Sequence, residues 1–157
     1  MQDKYIEDFE LCLKKKIIYL KPIYVRLVGN CTEILLKTGE KVTCPMPIGL
    51  CIRYLSEILF INQTAVRRYM KTKILKSKNL PLYLGREDIF IGIKTRKPIG
   101  KNDGALTFIN FKYIEKIKDK EVYLGRYGVL ECISKSETIK KNYIEARDFY
   151  YILSYDN

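Results

Sequence analysis

The stretch from residue 62 to residue 101 decides how the rest of the chain is read. It opens Asn62-Gln63-Thr64-Ala65-Val66-Arg67-Arg68-Tyr69-Met70-Lys71-Thr72-Lys73-Ile74-Leu75-Lys76-Ser77-Lys78 and continues through Leu80-Pro81-Leu82-Tyr83-Leu84 and Ile89-Phe90-Ile91. It ends Lys94-Thr95-Arg96-Lys97-Pro98-Ile99-Gly100-Lys101. Asn62 or Thr64 suits the cap of a short helix, with Ala65, Val66, Tyr69 and Met70 on one side and Arg67, Arg68 and Lys71 on the other. Residues 72–78 fit neither the helical nor the strand period, so both readings stay open there. Residues 81–84 and 89–93 read as strands flanking the turn Gly85-Arg86-Glu87-Asp88. Residues 94–104 read as a loop, with Pro98, Gly100 and the turn triplet Asn102-Asp103-Gly104.

Upstream, residues 5–13 and 17–20 are short β-prone runs joined by Lys14-Lys15-Lys16, which predicts a hairpin with a charged turn. Pro22 interrupts, residues 23–28 read as another strand, and Gly29-Asn30 marks a turn. Residues 31–36 and 41–44 follow, separated by Thr38-Gly39-Glu40, so three or four antiparallel strands are expected. After Pro45-Met46-Pro47 the period changes. Ile48, Cys51, Ile52, Leu55, Ile58 and Leu59 fall on one helical stripe, with Pro47 at its first turn. This is a core helix rather than a recognition helix, because Arg53 and Glu57 are its only charges.

Downstream, residues 105–111, 121–124 and 129–133 read as strands, the last two joined by Gly125-Arg126-Tyr127-Gly128. A second sheet element of at least three strands is expected. Ser134 and Glu137 have capping-box spacing, and Ile139, Tyr143, Ala146, Tyr150 and Leu153 form a stripe for docking on the sheet. The fold class is therefore α+β, mainly antiparallel β-sheet with one internal helix and a C-terminal helix. No linker is visible, so residues 1–157 are read as a single domain.

Charge is distributed very unevenly. Residues 62–101 hold 11 Lys/Arg against Glu87 and Asp88, whereas residues 1–61 hold 9 against 7 and residues 102–157 hold 9 against 9. Nine of the 11 excess positive charges thus sit in about a quarter of the chain, the pattern of a surface for a polyanion. With 47% apolar and 30% charged residues the chain belongs among globular proteins rather than disordered ones. Residues 1–8 hold no signal-peptide apolar region and no apolar run is long enough to span a bilayer, so a cytoplasmic location without membrane attachment is expected.

Catalytic constellations are hard to assemble. There is no histidine, which removes Ser-His and Cys-His nucleophile systems and the commonest general base. The five cysteines, Cys12, Cys31, Cys44, Cys51 and Cys132, form no C-x-x-C pair and read as buried reduced thiols. Glu7, Asp8 and Glu10, or the adjacent Glu87-Asp88, read as solvated surface rather than a two-metal centre. The glycines match neither a P-loop nor a dinucleotide turn. No catalytic residue, metal or cofactor is expected, and the chain is read as a non-enzyme.

Nucleic-acid binding fits better. Lysines and arginines release counterions from phosphates, and arginines of a flexible loop enter the electronegative minor groove of A·T-rich tracts. The residues expected to bind DNA are Arg67, Arg68, Lys71, Lys73, Lys76 and Lys78, with Lys94, Arg96, Lys97 and Lys101 from the loop. Tyr69, Tyr83 and Phe90 have the chemistry to stack on single-stranded bases, although their apolar neighbours favour core packing. The alternatives from other classes are a small metal-dependent nuclease using Glu87 or Asp88 and an RNA- or single-strand-binding module.

The order of these features resembles the competence transcription factor (ComK) family. Residues 5–11 leading to Ile17-Ile18-Tyr19-Leu20-Lys21-Pro22 are similar to its opening acidic-aromatic segment and Leu-Pro strand. Residues 47–60 stand in the place of its hydrophobic segment, and Thr64-Ala65-Val66-Arg67-Arg68 in that of its small-residue loop ending in Gly-Arg. Residues 73–78 and Asn79-Leu80-Pro81-Leu82 follow as its basic strand and proline step. Gly128, Glu131 and residues 134–146 resemble its closing strand and helix. The chain departs from the pattern at Val66, at Gly92-Ile93-Lys94-Thr95 and in having no tryptophan. The resemblance implies a transcriptional activator of competence (transformation, DNA-uptake) genes. Such an activator binds paired A/T-rich duplex boxes as a homo-oligomer, largely through the minor groove, and is regulated by an adaptor and protease.

Overall fold

Ile89-Phe90-Ile91-Gly92-Ile93 is buried at every position, which a strand achieves only when both of its faces are covered. The computed structural model describes residues 3–74, 79–98 and 104–155, and this run is the fifth strand of its larger sheet. The elements in order are α1 (Asp3–Lys15), β1 (Ile17–Val25), β2 (Gly29–Leu36), β3 (Lys41–Cys44), α2 (Ile48–Ile58) and α3 (Gln63–Ile74). After these come β4 (Leu82–Tyr83), β5 (Ile89–Lys94), β6 (Leu106–Asn110), β7 (Lys116–Lys118), β8 (Glu121–Tyr123), β9 (Val129–Glu131) and α4 (Ser136–Tyr155). Six strands pair in the order β3-β2-β1-β6-β5-β4 and three in the order β7-β8-β9, every pairing antiparallel. The α+β class and the mainly antiparallel sheet are as the sequence leads one to expect.

Side-chain alternation assigns the two faces. Phe90, Leu20, Ile34 and Leu36 point to the side covered by α1 and α2, where they meet Phe9, Cys12, Cys51 and Leu55. Ile89, Ile91, Ile93 and Ile109 point to the other side, covered by α4, α3 and the small sheet through Ile139, Phe149, Met70 and Val122. α4 buries Ile139, Asn142, Ala146 and Phe149, and the Asn142 amide donates to the Gly92 carbonyl at 3.1 Å, tying helix to strand. All five cysteines are free and buried, and burial pushes the Cys12 and Cys132 thiols up to about 11. Among the described residues, no helix is long and apolar enough to cross a membrane.

Several elements differ from expectation. Residues 5–13 are helical: Tyr5, Phe9 and Cys12 recur at four and three, a helical stripe that β-prone residue types disguised. The lysines are therefore not a hairpin turn. Lys14 and Lys15 complement the helix dipole, and Lys16 closes the helix at φ 73°, its N–H on the Leu13 carbonyl at 3.2 Å. β1 runs straight through Pro22, because β6 pairs only with Tyr19 and Leu20 and leaves the strand one-sided at the proline. The turn falls at residues 26–28 rather than at Gly29-Asn30, which lie in β2. β7, a charged Lys-Ile-Lys with both lysines exposed, carries no strand signal in the sequence. α4 starts at Ser136; the Ser134 hydroxyl accepts the Lys94 N–H at 3.0 Å and so is not its capping residue.

Candidate nucleic-acid interface

α3 is set by its two ends and one buried side chain. The Asn62 carboxamide oxygen accepts the Ala65 N–H at 3.1 Å, which makes Asn62 rather than Thr64 the cap. The Gln63 amide donates to the Tyr83 carbonyl at 2.7 Å and to the Ser56 hydroxyl at 3.1 Å, fixing the first turn to β4 and α2. Met70 is fully buried, with Val66 and Ile74 partly buried beside it. At about 100° per residue this rotation places Arg67 and Lys71 on the flank toward α2 and Arg68 outward. Lys73 falls on the opposite flank, its ammonium 5.5 Å from the Tyr69 ring, which itself packs edge-on against Phe149 at 6.1 Å. The bases of α3 therefore occupy two flanks rather than one face.

Arg67 and Lys71 border a cavity of about 320 Å³ between α3, α2 and the sheet. Its floor is apolar, made by Ile52, Leu82, Leu106 and Phe108, and among the described residues no acid lines it. A neighbouring cavity of about 260 Å³ shares Ile52, Gln63 and Arg67 and is bounded by Arg53 and Glu57, paired at 3.4 Å. Lys94 lies opposite Leu106 in the β5–β6 register and follows Phe90 and Gly92 at period two, so it leaves the strand on the face this cavity occupies. Lys94 is not part of the cavity lining; it continues the same face of the sheet beyond Leu106.

The loop after β5 is less free than its composition implies. The Arg96 guanidinium donates to the Gly104 carbonyl at 2.7 Å and to the Asn30 carboxamide oxygen at 3.0 Å, fastening the loop to the β1–β2 hairpin. The Thr95 and Thr107 hydroxyls share a hydrogen bond of 2.7 Å across its neck. Lys97 is exposed. Lys76, Lys78 and Lys101 lie outside the described residues.

Other expected candidates fall elsewhere. Phe90 is buried and Tyr83 packs edge-on against Phe149 at 6.4 Å, so both serve the core. Glu87 pairs with Lys112, and Asp88 accepts from the Asn110 amide at 3.2 Å. Burial holds the Asp88 carboxyl above its ordinary range, with Lys16 opposing. Among the described residues no cluster of carboxylates or thiols is arranged to hold a metal ion.

One surface had no place in the sequence reading. The turn Arg26-Leu27-Val28 projects beyond β1 and β2 with its side chains exposed, at the same end of the sheet as Lys94 and Lys97. Gly29, at φ 102°, is its sequence mark, but the apolar residues 23–28 read as a strand that hides the turn at 26–28. No family model matches the chain, and neither a curated protein nor a solved structure matches it.

Proposed function

We propose that this chain binds double-stranded DNA, with a preference for A/T-rich sequence, and acts as a cytoplasmic transcriptional activator rather than an enzyme. The observation that carries the reading is the placement of Arg67 and Lys71 from α3 at a cavity with no acidic residue in its described lining, with Lys94 leaving β5 on the same face of the sheet. Residues distant in sequence contribute cations of one sign to one face of the sheet, which concentrates positive potential where a phosphate backbone gains most. Arg68 and Lys97, both exposed, extend the charge to either side. The activator role, the competence genes as targets, the paired boxes and the homo-oligomer rest on the resemblance to the competence transcription factor family.

The test is fluorescence anisotropy with labelled A/T-tract, G·C-rich and single-stranded oligonucleotides of equal length. Tighter binding of the A/T duplex, weakened at least tenfold by the triple change Arg67→Ala, Arg68→Ala, Lys71→Ala, is the expected result. Equal affinity for both duplexes would remove the regulator reading. Preference for the single strand would replace it with single-strand binding.

A further inference from the structure

The β1–β2 tip combines three features that structural packing does not account for. Leu27 is 96% exposed, and Val28 and Tyr24 beside it are 59% and 61% exposed. Single exposed apolar residues are ordinary on protein surfaces, so exposure alone carries little. Leu27, however, also has φ 69°, in a turn closed by the Val28 N–H on the Val25 carbonyl at 3.0 Å. That position favours glycine or asparagine, and a leucine there is strained. A strained residue that packs against nothing is a cost without a structural return, the situation in which strain points to function.

The third feature is the charge around the tip. Residues 22–32 contain Arg26 and no acid, and residues 94–98 contain three bases and no acid, while Glu121 and Glu131 line a cavity with Lys21 and Thr95 on the small-sheet side. Arg96 ties the loop to the hairpin through Asn30, three residues from Leu27, at the end of the sheet where Lys94 leaves β5. An apolar point flanked by cations matches a duplex with partly unstacked bases between two phosphate rails.

Resting on the reading of this chain as a duplex-binding protein, we infer that the β1–β2 tip is a wedge. Leu27 inserts between adjacent base pairs from the minor groove and kinks the duplex, while Arg26, Lys94 and Lys97 engage the flanking phosphates. Apolar wedges of this kind unstack a step and bend DNA by about 20–90°. Pyrimidine–purine steps unstack most easily, so a T–A step is the preferred seat, which adds to an A/T preference without any base-edge hydrogen bond.

The experiment uses the full chain and a doubly end-labelled A/T-rich duplex with a central T–A step. Energy transfer reports the bend and anisotropy reports affinity. Leu27→Gly is the informative variant because glycine accepts φ 69° without strain; its thermal midpoint should equal or exceed that of the unaltered protein, so loss of folding cannot mimic loss of the wedge. The unaltered protein should shorten the end-to-end distance on binding. Leu27→Gly should bind about tenfold more weakly and leave the duplex straight. If Leu27→Gly bends the duplex as the unaltered protein does, the wedge is wrong while duplex binding stands. If the unaltered protein binds no duplex, the functional reading falls and the wedge with it. A parallel arm measures sedimentation with phosphatidylglycerol-containing vesicles; Leu27-dependent vesicle binding without DNA bending would assign the tip to a lipid surface and overturn the proposal.

Discussion

Asp88 closes the β4–β5 turn, where the Leu84 N–H bonds to its carbonyl at 2.9 Å and its own N–H bonds to the Gly85 carbonyl at 3.1 Å. Its carboxylate accepts from Asn110, yet burial raises its pKa, so charge at this position opposes folding. The native state holds the proton more tightly than the unfolded chain. The cost is therefore absent below the ordinary carboxylate range, grows as pH rises through that range, and is complete above the native pKa. Asp88→Asn keeps an acceptor for Asn110 and removes the charge. It is expected to raise stability at pH 7 in urea unfolding, with the difference shrinking as pH falls through the ordinary carboxylate range. A variant less stable at pH 7 would show that the carboxylate is needed in its charged form. Arg96 teaches the complementary lesson. Its charge was legible in the sequence, but its partners Asn30 and Gly104 were not, because one of them lies 66 residues away across a sheet whose strand order is non-sequential. Lys97, exposed and without such a bond among the described residues, is the cleaner probe of phosphate binding.

At the scale of elements, α3 is where local sequence and tertiary placement agree. Asn62 accepts the Ala65 N–H and Met70 is completely buried, so one end and one side of the helix are fixed. Asn62→Ala removes an acceptor from the first turn and is expected to cost about 1 kcal/mol, seen as a lower urea midpoint and faster amide exchange at residues 64–66. Thr64→Ala should change stability by less than about 0.5 kcal/mol, since Thr64 is exposed within the turn. Equal losses at the two positions would contradict the capping geometry. α2 and α4 were legible for the same reason as α3, since each repeats its apolar residues at one helical period, whereas β5 was legible as an unbroken apolar run of strand length following a turn. α1 was not, because Tyr5, Ile6, Phe9, Leu11, Cys12 and Leu13 crowd enough apolar positions into nine residues to satisfy more than one period. Phe60 shows what such patterns omit. It occupies the left-handed position after α2 at φ 57°, with its N–H on the Glu57 carbonyl and the Ile61 N–H on the Ser56 carbonyl. That closure normally uses glycine, and no periodicity announces it.

At the scale of the whole molecule, the sheet order explains how separate basic segments become one surface. With β1 beside β6 and antiparallel to it, the tip of the β1–β2 hairpin and the β5–β6 connection lie at the same end of the sheet. α3 joins that region by packing against α4 while its Arg67–Lys71 flank faces the cavity floored by Leu106 and Phe108. If these groups form one footprint on DNA, their contributions to counterion release must add. Log affinity should fall against log salt with a slope of about 0.9 per phosphate engaged. Arg67→Ala with Lys71→Ala should therefore reduce the slope by up to about 1.8, and Lys94→Ala with Lys97→Ala by a similar amount. The quadruple variant should lose close to the sum, because the two pairs sit on different elements and share no hydrogen-bonded partner among the described residues. Titration at four or five salt concentrations measures all three slopes. A slope insensitive to Lys94 and Lys97 would confine the interface to the α3 flank and leave the sheet end, wedge included, outside it. A slope insensitive to Arg67 and Lys71 would instead move the DNA to the hairpin end and reassign the α2–α3 cavity to some other ligand.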